Sequence, residues 1–210
     1  VGKSTFLNCL AGLDTASEGT VKVQGTEISQ LNDQAMALFA EKGFGQVSMR
    51  ELAAHIGLTA GSLYHHFPSK QDLLYDLIEE LYEELQATLD QGRRAMARGT
   101  SALSCLIAAH WQLHGERPLQ FRLAERDFCC LSEAQQARLM LLRRRYETGV
   151  LHLIAPRASL KGEALAATAH VLATLLNQLP GLLQARRLSE GEGLGLMESL
   201  LLGGIERTLR

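Results

Sequence analysis

The sequence predicts an all-α protein, a bundle of about nine helices behind a short appendage, on three observations. Apolar residues recur at three- and four-residue spacing along most of the chain beyond residue 30. Serine or threonine followed three places later by an acidic or amide residue marks several helix starts, and no run beyond residue 30 alternates as a strand would. With 210 residues, 46% hydrophobic and 21% charged, the chain can bury a core and is neither disordered nor fibrous. A net charge of −2 gives no bulk attraction to nucleic acid.

The first thirty residues stand apart. They begin Val1-Gly2-Lys3-Ser4-Thr5, the tail of a phosphate-cradling loop, and continue FLNCLAGLDTASEGTVKVQGTEISQL. A helix is expected from about Ser4 to Leu10 and a strand from about Thr20 to Gln24. This run resembles the start of an ABC-transporter ATPase domain. It lacks the upstream strand, the first glycine of the loop, a later acidic partner for magnesium and an LSGGQ-like signature, so nucleotide hydrolysis is not expected. Residues 1–30 therefore read as an appendage, a relic, a gene-fusion product or a mis-assembled reading frame, with the seam near Leu31 to Phe39. The short apolar run Phe6 to Leu13, interrupted by Asn8, makes no convincing signal peptide.

Leu31, Ala35, Leu38 and Phe39 have helical spacing, and Gly43 supplies a stop for the first helix. Ser48 with Glu51 is a capping box, so a second helix begins near Met49 and buries Leu52, Ala53 and Ile56. Gly57 offers the positive φ that ends it. Thr59 caps a third helix whose Leu63 and Phe67 face back toward Ala53 and Ile56, and Pro68 closes it. A small residue at 53, a glycine four later and an apolar residue six beyond that let two helices cross at a tight turn, the requirement of a helix-turn-helix. The third helix exposes Thr59, Ser62, Tyr64, His65 and His66, with Lys70 just beyond, where a merely solubilising face would carry Glu and Lys.

The runs AxxLFAEKGF and SMRELAAHIGLTAGSLYHHFPSKQDLL, from Ala35 to Leu74, closely resemble the DNA-binding domain of TetR-family transcriptional regulators. The resemblance implies a TetR-like helical bundle with an N-terminal helix-turn-helix, a homodimer on a palindromic operator, no enzymatic activity, no cofactor and a cytoplasmic location. It also implies that Arg50, Thr59, Ser62, Tyr64, His65 and Lys70 touch double-stranded DNA, and Ser48 completes the candidate set. Between Leu31 and Lys70 the charges of Lys42, Arg50 and Lys70 balance Asp33, Glu41 and Glu51, and Glu27, Ile28, Ser29 and Gln30 stand where such proteins often carry a basic arm. Weaker phosphate contact and reliance on paired heads are the consequences.

Ser69 with Asp72 caps a fourth, long helix that carries Leu73, Leu74, Leu77, Ile78, Leu81 and Leu85 and reaches about Ala97. Further helices are expected near 101–114, 118–131, 133–154, 162–186 and 192–209. Pro118 starts one, Ser132 with Gln135 and Ser189 with Glu192 cap others, and Gly115, Gly149 and Pro156 mark breaks or weak points. The domains follow as 1–30, the appendage; 31–77, the DNA-binding head; and 78–210, the ligand-binding and dimerisation domain.

His110, Trp111, His114, Phe121, Arg122, Arg126, Cys129, Tyr146, Asn177 and Gln178 interrupt the apolar helices, as the anchors of a cavity for a small apolar ligand would; a packed core with satisfied polar groups accounts for each alone. The chosen ligand contacts are His110, Trp111, His114, Arg122, Arg126, Tyr146 and Asn177. His110 and His114 lie one turn apart, but no third metal ligand is evident, so no metal is expected. RLAERDFCCLSEAQQARLMLLRRRYE and HVLATLLNQLPGLL resemble the ligand domain of TetR-type regulators that answer to fatty-acyl or related acyl-coenzyme A molecules. The last two helices, with Ala166, Ala169, Ala173 and Leu176 on one and Leu196, Leu200, Gly203 and Gly204 on the other, are suited to a two-fold interface.

Ala164 to Ala185 carries no charged residue, yet His170, Thr174, Asn177, Gln178 and Pro180 suit a helix among protein neighbours better than a membrane span. Cys9, Cys105, Cys129 and Cys130 show no metal spacing, the adjacent pair does not suit a disulfide, and they fit a reducing cytoplasm, as buried small residues or, for the exposed member of 129 and 130, a thiol sensor. Two other functions stay open on the residues alone: a nucleotide-binding ATPase fragment, and a helical interaction protein that has lost DNA binding.

Overall fold

A computed structural model describes residues 22–23, 26–99, 101–186 and 188–209. The phosphate-loop residues Gly2, Lys3 and Ser4 and the helix expected after them lie outside the described residues. The expected strand is represented by Lys22–Val23 (β1), which pairs antiparallel with Thr26–Glu27 (β2) in a two-residue register. All other regular structure among the described residues is helical: α1 Ile28–Lys42, α2 Met49–His55, α3 Ala60–His66, α4 Lys70–Ala97, α5 Ala102–Glu116, α6 Pro118–Arg126, α7 Glu133–Ile154, α8 Gly162–Gln184 and α9 Glu190–Leu209, with 3-10 turns at Phe44–Gln46, Phe128–Cys130 and Ala155–Arg157. Among the described residues, no helix is long and apolar enough to cross a membrane.

Local chemistry explains most of these boundaries. Ser48 Oγ accepts the Glu51 N–H at 3.2 Å, Thr59 Oγ1 that of Ser62 at 3.1 Å, and Ser69 Oγ that of Asp72 at 3.1 Å. Ser189 and Glu192 close a full capping box, Ser189 N donating to Glu192 Oε2 at 2.9 Å and Glu192 N to Ser189 Oγ at 3.3 Å. Gly43 and Gly57 adopt φ of 87° and 73°, which side-chain-bearing residues rarely reach, and there α1 stops and α2 turns toward α3.

The chain divides into two compact units. One comprises residues up to 77 together with 122–132, and its core is Leu31, Ala35, Phe39, Phe44, Leu52, Ala53, Leu63, Phe67, Leu73 and Leu74. The other comprises 78–121 and 133–210, where α8 packs against α5, α7 and α9 around Ile78, Leu85, Leu106, Leu139, Tyr146, Leu172, Leu176 and Met197.

Two expectations change. Gly115 and Gly149 do not break helices; both lie inside them. A Cβ at 149 would stand 2.4 Å from Leu89 Cδ1, so the glycine there lets α7 approach α4 closely. The helix expected over 118–131 ends at Arg126, and Asp127 leads into the 3-10 turn, with Cys130 N bonded to Asp127 O at 2.9 Å.

Candidate nucleic-acid interface

The first unit builds its surface from α2 and α3. Leu52 and Ala53 on α2 and Leu63 on α3 are buried, which fixes the opposite faces outward. Arg50, Thr59, Tyr64 and His65 are exposed and Ser62 is half-buried. Tyr64 is 49% exposed, a large ring left open on a helix whose other large apolar residue is fully covered. This arrangement presents hydroxyls, imidazoles and a guanidinium together, the donor and acceptor types that read base edges and phosphates. His65 and His66 meet edge to face at 5.3 Å, and burial, then the charge of His65, lowers the His66 pKa. Lys42 pairs with Glu51, a bond that raises the lysine's pKa and lowers the carboxyl's.

Ser48 and Lys70 sit differently from the rest of the candidate set. Ser48 is exposed, but its hydroxyl is spent on the cap. Lys70 Nζ donates to Phe44 O and Val47 O, each at 2.6 Å, and lies 4.3 Å from the centre of the Phe44 ring. It thus latches the turn between α1 and α2, and burial lowers its pKa. A second latch adds to it: Arg126 Nη2 donates to Phe39 O at 2.9 Å while its other bonds hold Asp127, and Gln71 Nε2 donates to Cys130 O at 3.1 Å. The sequence separation of 87 residues between Arg126 and Phe39 leaves no local signal for it.

The residues expected to hold an effector separate into three places. Arg122 and Arg126 belong to the first unit. His110, Tyr146 and Asn177 meet inside the second: His110 Nε2 lies 3.1 Å from Asn177 Oδ1 and 3.3 Å from Tyr146 Oη. Both rings are fully buried; desolvation lowers the His110 pKa to about 4 and raises that of Tyr146. These three groups satisfy one another, which is what a packed core requires. Trp111, by contrast, lines an open groove of about 780 Å³ with Ala108, Gln112, Gln184, Leu188 and Glu190. His114 stands beside it, its Nδ1 3.2 Å from Gln184 Oε1 and its ring stacked on Phe121 at 4.5 Å. No group of three or more His, Cys, Asp or Glu residues capable of holding a metal occurs among the described residues.

Residues 31–77 match the family described as bacterial regulatory proteins, tetR family. That span holds the helix-turn-helix of α2 and α3. The helices of the described residues also have the TetR-like fold. The chain is similar to the TetR-family transcriptional regulator PfmR from Thermus thermophilus, at 22% identity and a TM-score of 0.69, over 86% of this chain and 99% of that one. It is similar to AibR, solved in complex with isovaleryl coenzyme A and operator DNA, at 14% identity and a TM-score of 0.66, over 82% and 96%. The fatty acid degradation regulator FadR from Bacillus halodurans matches at 18% identity and a TM-score of 0.66, over 84% and 94%.

Proposed function

We propose that this chain is a ligand-responsive transcriptional regulator, a repressor that binds a palindromic operator as a homodimer in the cytoplasm and leaves it when a small apolar or acyl-type effector binds. The observation that carries the reading is α3 itself, capped by Thr59, anchored by Leu63 and exposing Tyr64 and His65, within the tetR-family match at 31–77. Its outward side chains offer contacts to base edges and phosphates. AibR, with its isovaleryl coenzyme A, and FadR support an acyl-type effector. In the second unit the groove at Trp111 offers an effector more room than the mutually bonded His110, Tyr146 and Asn177.

Pairing is supported by apolar side chains left open on the last two helices. Val171, Leu175 and Leu182 on α8 and Leu196 and Leu200 on α9 are exposed, and Gly203 and Gly204 have free space above them. Ala169, Ala173 and Leu176 point into the chain's own core, so the interface uses the neighbouring face of α8.

Gel retardation with the promoter DNA next to the protein's own gene tests the reading. Tyr64→Ala is expected to weaken binding about 10- to 100-fold while leaving the melting temperature unchanged, since the ring is exposed. Leu200→Arg is expected to give monomers in sedimentation and a still larger loss of operator affinity, because each head then binds alone. Undiminished binding in Tyr64→Ala, or no retardation by the unaltered protein, counts against the assignment.

A further inference from the structure

The turn between α6 and α7 places two thiols side by side. Cys129 is exposed and Cys130 half-buried in the 3-10 turn Phe128–Cys130. Side chains of consecutive residues in such a turn ordinarily diverge, because the backbone rotates about a third of a revolution per residue. Here Cys129 Sγ donates to Arg126 O at 3.8 Å, and the Cys130 thiol, whose pKa is raised first by burial and next by the Cys129 thiol, is near enough to its neighbour to respond to it. The backbone beneath them is held independently, by Cys130 N to Asp127 O at 2.9 Å, by Leu131 N to Phe128 O at 3.2 Å and by Gln71 Nε2 to Cys130 O at 3.1 Å. A ligand that draws the sulfurs together therefore need only rotate two side chains.

What such a pair can hold follows from spacing. Adjacent Cα atoms stand about 3.8 Å apart, less than the ~4.4 Å minimum usual for a disulfide, so direct S–S closure is strained. One bridging atom between the sulfurs relieves that strain. The bridging atom must be thiophilic, and it must be content with two protein ligands, since among the described residues no third His, Cys, Asp or Glu completes a cluster.

We propose that Cys129 and Cys130 form a two-thiol chelating site for monosubstituted trivalent arsenicals, compounds with one carbon–arsenic bond and two exchangeable hydroxyls. Each thiol displaces one hydroxyl: an As–O bond breaks, an As–S bond forms, and the thiol proton leaves with the hydroxide as water. Two waters are released and no electron changes hands. Arsenite carries a third exchangeable valence that this pair leaves on water, so it is held less firmly. Cys129 is the entry point because it is the exposed member, and Cys130 closes the ring, with the Lys70 ammonium favouring its thiolate against the opposing effects of burial and of Cys129. The site lies in the same compact unit as the helix-turn-helix and on the turn whose backbone Gln71 holds.

The test uses the full chain with phenylarsonous acid and, in parallel, arsenite, read by intact mass after desalting and by counting thiols that iodoacetamide still alkylates. The expected result is a single phenylarsenic adduct with loss of two water molecules and two protected thiols, mapped by peptide mass to 129–130. Cys129→Ser and Cys130→Ser should each lose the desalting-resistant adduct, while Cys9→Ser and Cys105→Ser keep it; arsenite should wash off the unaltered chain more readily than the phenyl compound. Thermal melting of each variant confirms that it is folded. No adduct on the unaltered chain, an adduct that survives in the Cys129→Ser/Cys130→Ser double variant, or full retention by either single variant overturns the proposal.

Discussion

The two compact units treat polar side chains in opposite ways. In the first, the buried positions are apolar except Asp127, which Arg126 holds, and the polar groups of α3 face out, apart from those spent on caps. In the second, the polar groups turn inward and bond to one another, as His110, Tyr146 and Asn177 do across α5, α7 and α8. An outward polar face can be satisfied by water until a partner displaces it, so it costs nothing to keep ready. An inward one must be satisfied within the chain at all times, and it is therefore legible as stability before it is legible as binding.

The largest expected effect that probes this contrast is a pH dependence of the second unit. His110 has a folded pKa of about 4, below its ordinary 6.5, held there first by desolvation, with Asn177 opposing and His114 adding. A lowered histidine pKa means that the unfolded chain takes up a proton which the folded chain refuses. Its contribution to stability is then unchanged above pH 6.5 and falls as pH drops from 6.5 to 4, by about 3 kcal/mol in all. Chemical denaturation at pH 7, 6 and 5 of the unaltered protein and of His110→Gln checks it: the variant should lose that share of the slope. Equal slopes would mean that His110 is not held neutral.

Lys70 is the head's exception, a cation turned onto its own backbone, and Lys70→Met sharpens the comparison. Removing the two hydrogen bonds to Phe44 O and Val47 O while keeping most of the stem should cost about 1–3 kcal/mol of stability. A melting temperature equal to that of the unaltered chain, with operator affinity lost, would return Lys70 to the outward, DNA-contacting group. The smallest effect is expected from arginine at 27 and 30, just ahead of and within the first turn of α1. Each new cation near a phosphate should steepen the salt dependence of operator affinity by roughly one ion, measured as the slope against log salt.

These two units also differ in how much of each can be read from the amino acids. Ser48, Thr59, Gly57 and Ser69 act on groups within a few residues of themselves, so the helix-turn-helix and the start of α4 are legible one signal at a time. The limits of α7 at 133 and 154 agree with the expected span. Gly149 reads as a weak point because a lone glycine carries no sign of what approaches it, and only the fold brings Leu89 there. The partners of Lys70, Arg126 and His110 lie 26, 87 and 67 residues away, and composition marks such residues as unusual without saying whom they meet. The choice of anchors for an effector is open for that reason: a buried network and a ligand pocket draw on the same residue types.

Trp111 is the sole tryptophan in the chain, and its ring crosses α9 so closely that a Cβ at Gly193 would stand 2.3 Å from it. One indole, 6% exposed at the edge of the groove, makes the native protein its own optical probe. Its emission comes from a single known place, so a shift in wavelength or a change in quenching by iodide reports events at that groove, without a label and without the contributions of other tryptophans to subtract.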